Sequence, residues 1–380
     1  MTNVRTVLVV FGTRPEAIKM APLVLELKKH SPWNIRLAVT AQHRHLLDQV
    51  LHVFRIQPDY DLNIMKERQS LQDITAGVLS GLHAVMLETK PDMVLVHGDT
   101  TTTFAAALAA FYQKIPIGHV EAGLRTYDKY APYPEEMNRQ LTGVLADLHF
   151  APTHTAQKAL LSEGKRKERI YVTGNTVIDA LRTTVRDDFH HPLLERIGGA
   201  PWILMTAHRR ENWGQPLRNI FQAVKTILSH HADLHLIYPV HPNPHVRELA
   251  YAYLGDVPRV HLIEPLEMVD FHNMMARATL ILSDSGGVQE EAPALGRPVL
   301  VLREVTERPE GVEAGTLLLV GTDEARIVAE TERLLSDREA YLKMARAKNP
   351  YGDGQASRRI REALAYYFGE RAVPPEPFGA

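Results

Sequence analysis

The chain has 380 residues, 45% hydrophobic and 23% charged, a globular composition with enough apolar material for a core in each of two domains. Its 43 Lys and Arg against 45 Asp and Glu leave a formal net charge of -2, which excludes a global basic field for nucleic acid or an anionic membrane. There is no Cys, which excludes disulfide frameworks, thiolate metal centres and cysteine nucleophiles. The apolar run Val7–Phe11 is too short for the core of a secretory leader and no stretch approaches membrane-spanning length, so a cytoplasmic enzyme is expected.

Short β-branched runs alternate with longer amphipathic or Ala-rich segments, the rhythm of βα units around parallel sheets. The first half predicts strands near Thr6–Phe11, Ile35–Thr40, Met93–His97, Ile117–Glu121, His149–Ala151 and Ile170–Val172. Helices are expected over Leu71–Glu88, Thr101–Tyr112, Glu135–Ala146 and Thr155–Ser162. The second half restarts the pattern, with strands near Ile203–Thr206, Leu234–Tyr238, Val260–Ile263, Leu280–Ser283, Val299–Leu302 and Leu317–Val320. One open sheet of about a dozen strands would exceed what twist tolerates, so two similar α/β domains are expected. They would span 1–180 and 200–355, with the charged stretch between Asp179 and Pro201, including Gly198 and Gly199, as linker. A helix over 356–372, able to pack back on the first domain, precedes a loose tail over 373–380 in which Pro374, Pro375 and Pro377 stop any helix.

In open α/β sheets ligands bind beyond the carboxyl ends of the strands, so the polar residues that follow each strand are the candidates. Gly12-Thr13-Arg14-Pro15-Glu16-Ala17-Ile18-Lys19 offers Arg14 and Lys19 to a phosphate, or is a capped turn with solvated charges. In Gly98-Asp99-Thr100, Asp99 is either a catalytic carboxylate or the cap of the Ala-rich helix behind it. His119-Val120-Glu121-Ala122-Gly123-Leu124-Arg125 places Glu121 and Arg125 on a loop, and Glu135 and Glu136 follow Pro134, where a first helical turn also favours them. His208 is the strongest acid–base candidate, at a strand end beside Arg209 and Arg210. His241 and His245 share i,i+4 spacing, but Pro242 and Pro244 oppose the helix that would align them, and no metal site is expected.

The most informative run is Asp284-Ser285-Gly286-Gly287-Val288-Gln289-Glu290-Glu291, a glycine-rich turn from strand to helix. Ser285, Gly286 and Gly287 can present backbone N–H groups and a positive helix end to a diphosphate, and Glu291, one turn on, can accept from both hydroxyls of a ribose. Arg308, after the next strand, is a candidate for a further clamp.

In combination, these runs, from Phe11-Gly-Thr-Arg-Pro-Glu through His97-Gly-Asp-Thr, His119-Val-Glu-Ala-Gly-Leu-Arg-Thr, Pro134-Glu-Glu-Met-Asn-Arg and His208-Arg-Arg-Glu-Asn to Thr306-Glu-Arg-Pro-Glu, resemble the bacterial non-hydrolysing UDP-N-acetylglucosamine 2-epimerases over almost the whole chain. The resemblance implies the GT-B architecture, two Rossmann-like doubly wound parallel-sheet domains facing a cleft. It implies nucleotide-sugar contacts at Arg14, Lys19, Ser285, Gly286, Gly287, Glu291 and Arg308, with uracil near Leu266 and Phe271. It implies catalysis by Asp99, Glu121, Glu135 and His208, through elimination of UDP to a 2-acetamidoglucal and readdition, without a cofactor. A second pocket for UDP-GlcNAc as activator would use Gln42, His43, Arg68, Arg209 and His241 and share Glu135. The resemblance further implies a homodimer that interconverts UDP-GlcNAc and UDP-ManNAc for surface polysaccharide. A hydrolysing epimerase, a retaining GT-B UDP-sugar glycosyltransferase and a non-catalytic UDP-sugar sensor are the competing readings.

Overall fold

The computed structural model describes residues 4–41, 44–65 and 69–379. The chain divides into two units, Met1–Thr183 with Tyr351–Ala380, and Thr184–Pro350. The first holds seven strands: β1 (Thr6–Phe11), β2 (Asn34–Val39), β3 (Tyr60–Asp61), β4 (Met93–His97), β5 (Ile117–Val120), β6 (Leu148–Ala151) and β7 (Ile170–Val172). Their spatial order is β3-β2-β1-β4-β5-β6-β7, and every neighbouring pair is parallel. β1 and β4 are buried along their whole length, as expected of parallel strands covered by helices on both faces. The helix Thr101–Tyr112 buries Ala105, Ala106, Ala107, Ala109 and Ala110, whose small side chains let its backbone lie close to the sheet core of Leu8, Val10, Val94 and Val96.

The second unit repeats the plan with β8 (Trp202–Thr206), β9 (His235–Pro239), β10 (Val260–Ile263), β11 (Leu280–Ser283), β12 (Val299–Val301) and β13 (Leu317–Leu319), in the order β10-β9-β8-β11-β12-β13 and again all parallel. Phe221, Tyr238, Leu282 and Leu300 lie in its core. In each sheet the winding reverses between two central strands, β1 and β4 in one and β8 and β11 in the other, which opens a crevice at their carboxyl ends. Among the described residues no helix is long and apolar enough to cross a membrane.

Two expectations change. The stretch read as linker contains a helix, Pro192–Ile197, with Leu193 and Ile197 buried, His191 Nδ1 accepting from Leu193 N at 3.2 Å, and Gly198 ending it at φ 62°. Pro at the first turn and a left-handed Gly past the end are helix signals that the linker reading passed over. The tail is not loose. Phe378 is 5% exposed, its N–H donates to Val172 O at 2.8 Å, and the Arg359 guanidinium lies 5.5 Å from its ring centre. Prolines forbid helix there, but they do not forbid an extended segment from burying an aromatic ring. The helix Ala356–Tyr367 lies in the first unit, where Asp179 caps it by accepting from Ser357 N at 2.8 Å and Ala356 N at 3.2 Å, and Arg361 Nε donates to Glu26 at 2.8 Å.

Candidate functional site

In the first unit the turns after β1 and β4 are joined by a buried carboxylate. Glu16, 2% exposed, accepts at one oxygen from Gly12 N (3.1 Å) and Thr13 N (2.8 Å) and at the other from Thr100 Oγ1 (2.8 Å) and Thr103 Oγ1 (3.0 Å). Position 12 must be glycine, because a Cβ there would lie 2.0 Å from Thr40 Oγ1 and 2.7 Å from Thr102 Oγ1. Thr100 caps the helix Thr101–Tyr112 by accepting from Thr103 N at 3.1 Å, which releases Asp99 from the capping role open to it in the sequence.

Asp99 is gripped from the helix Glu135–Leu145: Asn138 Nδ2 donates to its backbone O at 2.9 Å, and Arg139 Nη2 stands 3.5 Å from its carboxylate. Burial pushes its carboxyl up to about 6, Arg139 and Lys19 pull it down, and the charges of Glu121 and Glu135 push it further up. Glu121 lies one residue past β5, outside the strand expected to include it, with a left-handed φ of 60°. A non-glycine residue holds that conformation when its surroundings dictate it. Here Lys19 Nζ and Asn175 Nδ2 (2.8 Å) both donate to Oε2, and His97 Nε2 stands 3.8 Å away. Burial pushes the imidazoles of His97 and His119 down to about 4 and about 3, so both are neutral near pH 7, and His119 donates from Nε2 to Gly98 O at 2.7 Å.

Of the adjacent glutamates, Glu136 is fully buried and structural. It accepts from Gln140 Nε2 (2.7 Å), Thr126 N (3.0 Å) and Tyr127 N (3.0 Å), and these bonds outweigh burial and hold its carboxyl low. Glu135 is half-buried with its charge felt at Asp99. Arg14 is exposed on the first turn of Arg14–His30. Arg125, by contrast, is spent on a bidentate pair with Glu163 at 2.7 and 3.0 Å.

In the second unit the turn after β11 is the focus. Ser285 precedes the helix Gly286–Ala294. A Cβ at Gly286 would stand 3.6 Å from Arg209 Nη2 and 3.7 Å from Arg308 Nη2, so two guanidinium groups converge on this turn. Glu290 takes the Arg308 Nε–H at 2.5 Å, while Arg308 N donates to Thr306 Oγ1 at 3.0 Å. Glu291 faces His272 Nε2 at 3.4 Å, and the other ring nitrogen of His272 hydrogen-bonds Thr184 Oγ1 at 2.8 Å. Leu266 and Phe271 are half-buried, before and on the helix Met268–Arg277 that carries His272.

His208 follows β8. Its ring stacks on His241 at 5.2 Å and 10°, and its Nδ1 stands 3.3 Å from Asp284. Burial pushes its imidazole down, Asp284 pulls it up, and His241 and Arg209 oppose a positive charge there. His245 turns instead to Trp213, with ring centres 5.2 Å apart, so the two histidines of the Pro-rich run go to different partners. Among the described residues no group of three or more His, Asp or Glu could hold a metal ion. Gln42, His43 and Arg68 lie outside the described residues. Asp99, Glu121, Glu135 and Lys19 thus gather in the first unit, and His208, Arg209, His241, Ser285, Gly286, Gly287, Glu291 and Arg308 in the second. Sequence reading passed over Glu16, Arg139, His272, Asp284 and Glu290 as positioning groups. Glu16 carried a readable signal, the capping-box spacing after Thr13.

Two doubly wound parallel-sheet units, one with carboxylates at its switch point and the other with an arginine-flanked glycine turn, define the GT-B class of nucleotide-sugar protein. The model of the family described as UDP-N-acetylglucosamine 2-epimerase matches residues 25–365, and the chain belongs to that family. It is 61% identical over 372 residues to the UDP-N-acetylglucosamine 2-epimerase of Bacillus subtilis, covering 98% of each chain. The crystal structure of a putative UDP-N-acetylglucosamine 2-epimerase from Listeria monocytogenes superposes with a TM-score of 0.95 at 56% identity, covering 99% of this chain and 100% of that one. The Neisseria meningitidis UDP-GlcNAc 2-epimerase, solved bound to UDP-GlcNAc, gives 0.84 at 52% identity, covering 95% and 100%.

Proposed function

We propose that the protein interconverts UDP-GlcNAc and UDP-ManNAc by inversion at C2, without hydrolysis. The observation that carries this reading is the carboxylate group of the first unit, in which Asp99 sits beside Glu121 and Glu135 with its carboxyl near 6. A group that is neither fully acidic nor fully basic near neutrality can take a proton in one direction and return it in the other. In the elimination a carboxylate takes the C2 proton, the C–H electron pair forms the C1–C2 double bond, and the C1–O pair leaves on the β-phosphate oxygen of UDP. In the return step a carboxyl group on the opposite face protonates C2 and UDP adds back at C1. No electron is gained or lost overall.

The departing diphosphate needs fixed donors, which Arg308, Arg14, His208 and the amides of Ser285, Gly286 and Gly287 would supply, with Glu291 on the ribose and Leu266 and Phe271 beside the uracil. Lys19 would hold Glu121 as a carboxylate through their ion pair. We also propose that UDP-GlcNAc activates the enzyme from a second pocket formed by Gln42, His43, Arg68, Arg209 and His241 with Glu135. The stacking of His241 on His208 supports it, since a ligand on His241 would be felt at His208. The protein would act as a cytoplasmic homodimer that supplies ManNAc units for surface polysaccharide.

The test is proton NMR in heavy water with UDP-GlcNAc and no acceptor or cofactor. The expected product is UDP-ManNAc carrying deuterium at C2, with no more than traces of free sugar. Free ManNAc would establish the hydrolysing reaction instead, and an unchanged spectrum would favour a transferase or a sensor. Started from pure UDP-ManNAc, the same assay should show a lag that added UDP-GlcNAc abolishes; hyperbolic kinetics without a lag would remove the activator site.

A further inference from the structure

We propose that Asp284 is a positioning residue that holds the hydrogen of the neutral His208 ring on Nδ1, leaving Nε2 free to take up a proton from solvent and donate it to the diphosphate. The proposal rests on the reading of His208 given above. Asp284 directly follows β11 and is 0% exposed. Its Oδ2 accepts from three donors on the turn after β8: His208 N at 2.8 Å, Arg209 N at 2.8 Å and Asn212 Nδ2 at 3.0 Å. Three bonds to one oxygen stop the carboxylate from rotating. Its Oδ1, buried and with no hydrogen bond of its own, faces His208 Nδ1 at 3.3 Å.

An ionised carboxylate can only accept, so a ring with its lone pair on Nδ1 would set two acceptors against each other at a carboxylate oxygen that is itself buried from water. The hydrogen therefore belongs on Nδ1 and the lone pair on Nε2. When Nε2 takes up a proton, Asp284 is the countercharge, and the imidazolium can donate to the phosphate oxygen that receives the C1–O electron pair. The other charged or titratable groups facing the ring, His241 and Arg209, both oppose that positive charge, so Asp284 alone among them favours it. The same carboxylate fixes the backbone of Arg209, whose guanidinium overhangs Gly286. One buried aspartate thus sets both the ring and an arginine of the diphosphate turn.

Asp284→Asn separates this role from simple scaffolding. The three donors need an oxygen, so the amide must turn its NH2 toward Nδ1, which then accepts and forces the ring hydrogen onto Nε2. Nitrogen-15 NMR of histidine-labelled full-length protein, with the His208 signals identified by their loss in His208→Gln, should show the Nδ1–H tautomer in the wild type and the Nε2–H tautomer in Asp284→Asn. The His208 titration should move to lower pH in the variant, because a stabilising negative charge is lost. Turnover should fall by about 10²-fold or more, while the calorimetric Kd for UDP stays within about threefold.

A wild-type His208 in the Nε2–H form overturns the proposal whether or not the variant folds. So does a variant with wild-type turnover, or one that loses turnover with the His208 tautomer unchanged. A wild-type protein that makes no UDP-ManNAc would overturn the proposed activity and leave the tautomer measurement standing.

Discussion

The burial that raises the Asp99 carboxyl, a group proposed to move a proton, also costs stability. That carboxyl sits near 6 in the folded state, above the ordinary 3.8, chiefly because burial disfavours the ionised form. The folded chain therefore binds an extra proton between those two values. Stability falls as the pH rises through that window and stays lower above it. Asp99→Asn should accordingly raise the melting temperature at pH 8 and leave it unchanged at pH 3.5, as calorimetry at the two values would read. Turnover should fall by about 10²-fold or more, with UDP binding retained, because the groups proposed to hold UDP lie elsewhere in the chain. At this scale the sequence singled out the candidates but could not rank their two readings. Thr100 as the cap frees Asp99 from that role, and Glu136 rather than Glu135 holds the 126–127 backbone. Those decisions depend on which side chain reaches which amide, and spacing alone does not encode that.

At the scale of elements, continuous apolar runs made the parallel strands legible almost to the residue, because strands covered on both faces carry no competing polar pattern. β3 escaped notice: two residues, Tyr60 and Asp61, carry no periodicity. The apolar neighbours of Glu121 predict a strand running through it, and the left-handed turn that takes it out depends on Lys19 and Asn175 from distant parts of the chain. The C-terminal segment shows the same limit, since its prolines announce an end of helix but not the buried ring beyond. Phe378→Ala should lower the unfolding free energy by about 2 kcal/mol, below the usual cost of a core aromatic because a terminal segment can relax, and it also removes the stacking of Arg359. Urea unfolding of wild type and variant would measure the difference.

At the scale of the molecule, Thr184–Pro350 is an uninterrupted stretch with its own six-stranded sheet and core, whereas the other unit is assembled from both ends of the chain. Residues 184–350 expressed alone should unfold cooperatively and be stabilised by UDP, because Ser285, Gly286, Glu291, Arg308 and the groups that hold them all lie within it. A melting curve with and without UDP tests this, and a fragment indifferent to UDP would show that residues of the first unit are needed. The sequence by itself determined the α/β class, the two sheets, the positions of the glycine-rich turn and the candidate carboxylates, and the family, because apolar periodicity and short polar motifs are local properties. The tertiary structure alone decided which of those polar residues are spent on the fold and which are left for the proposed chemistry. That choice is made by contacts such as Glu16 with Thr100 and Asp284 with His208, between residues far apart in sequence, with the two carboxylates buried from water. There an unpaired polar group is costly enough to dictate its partner.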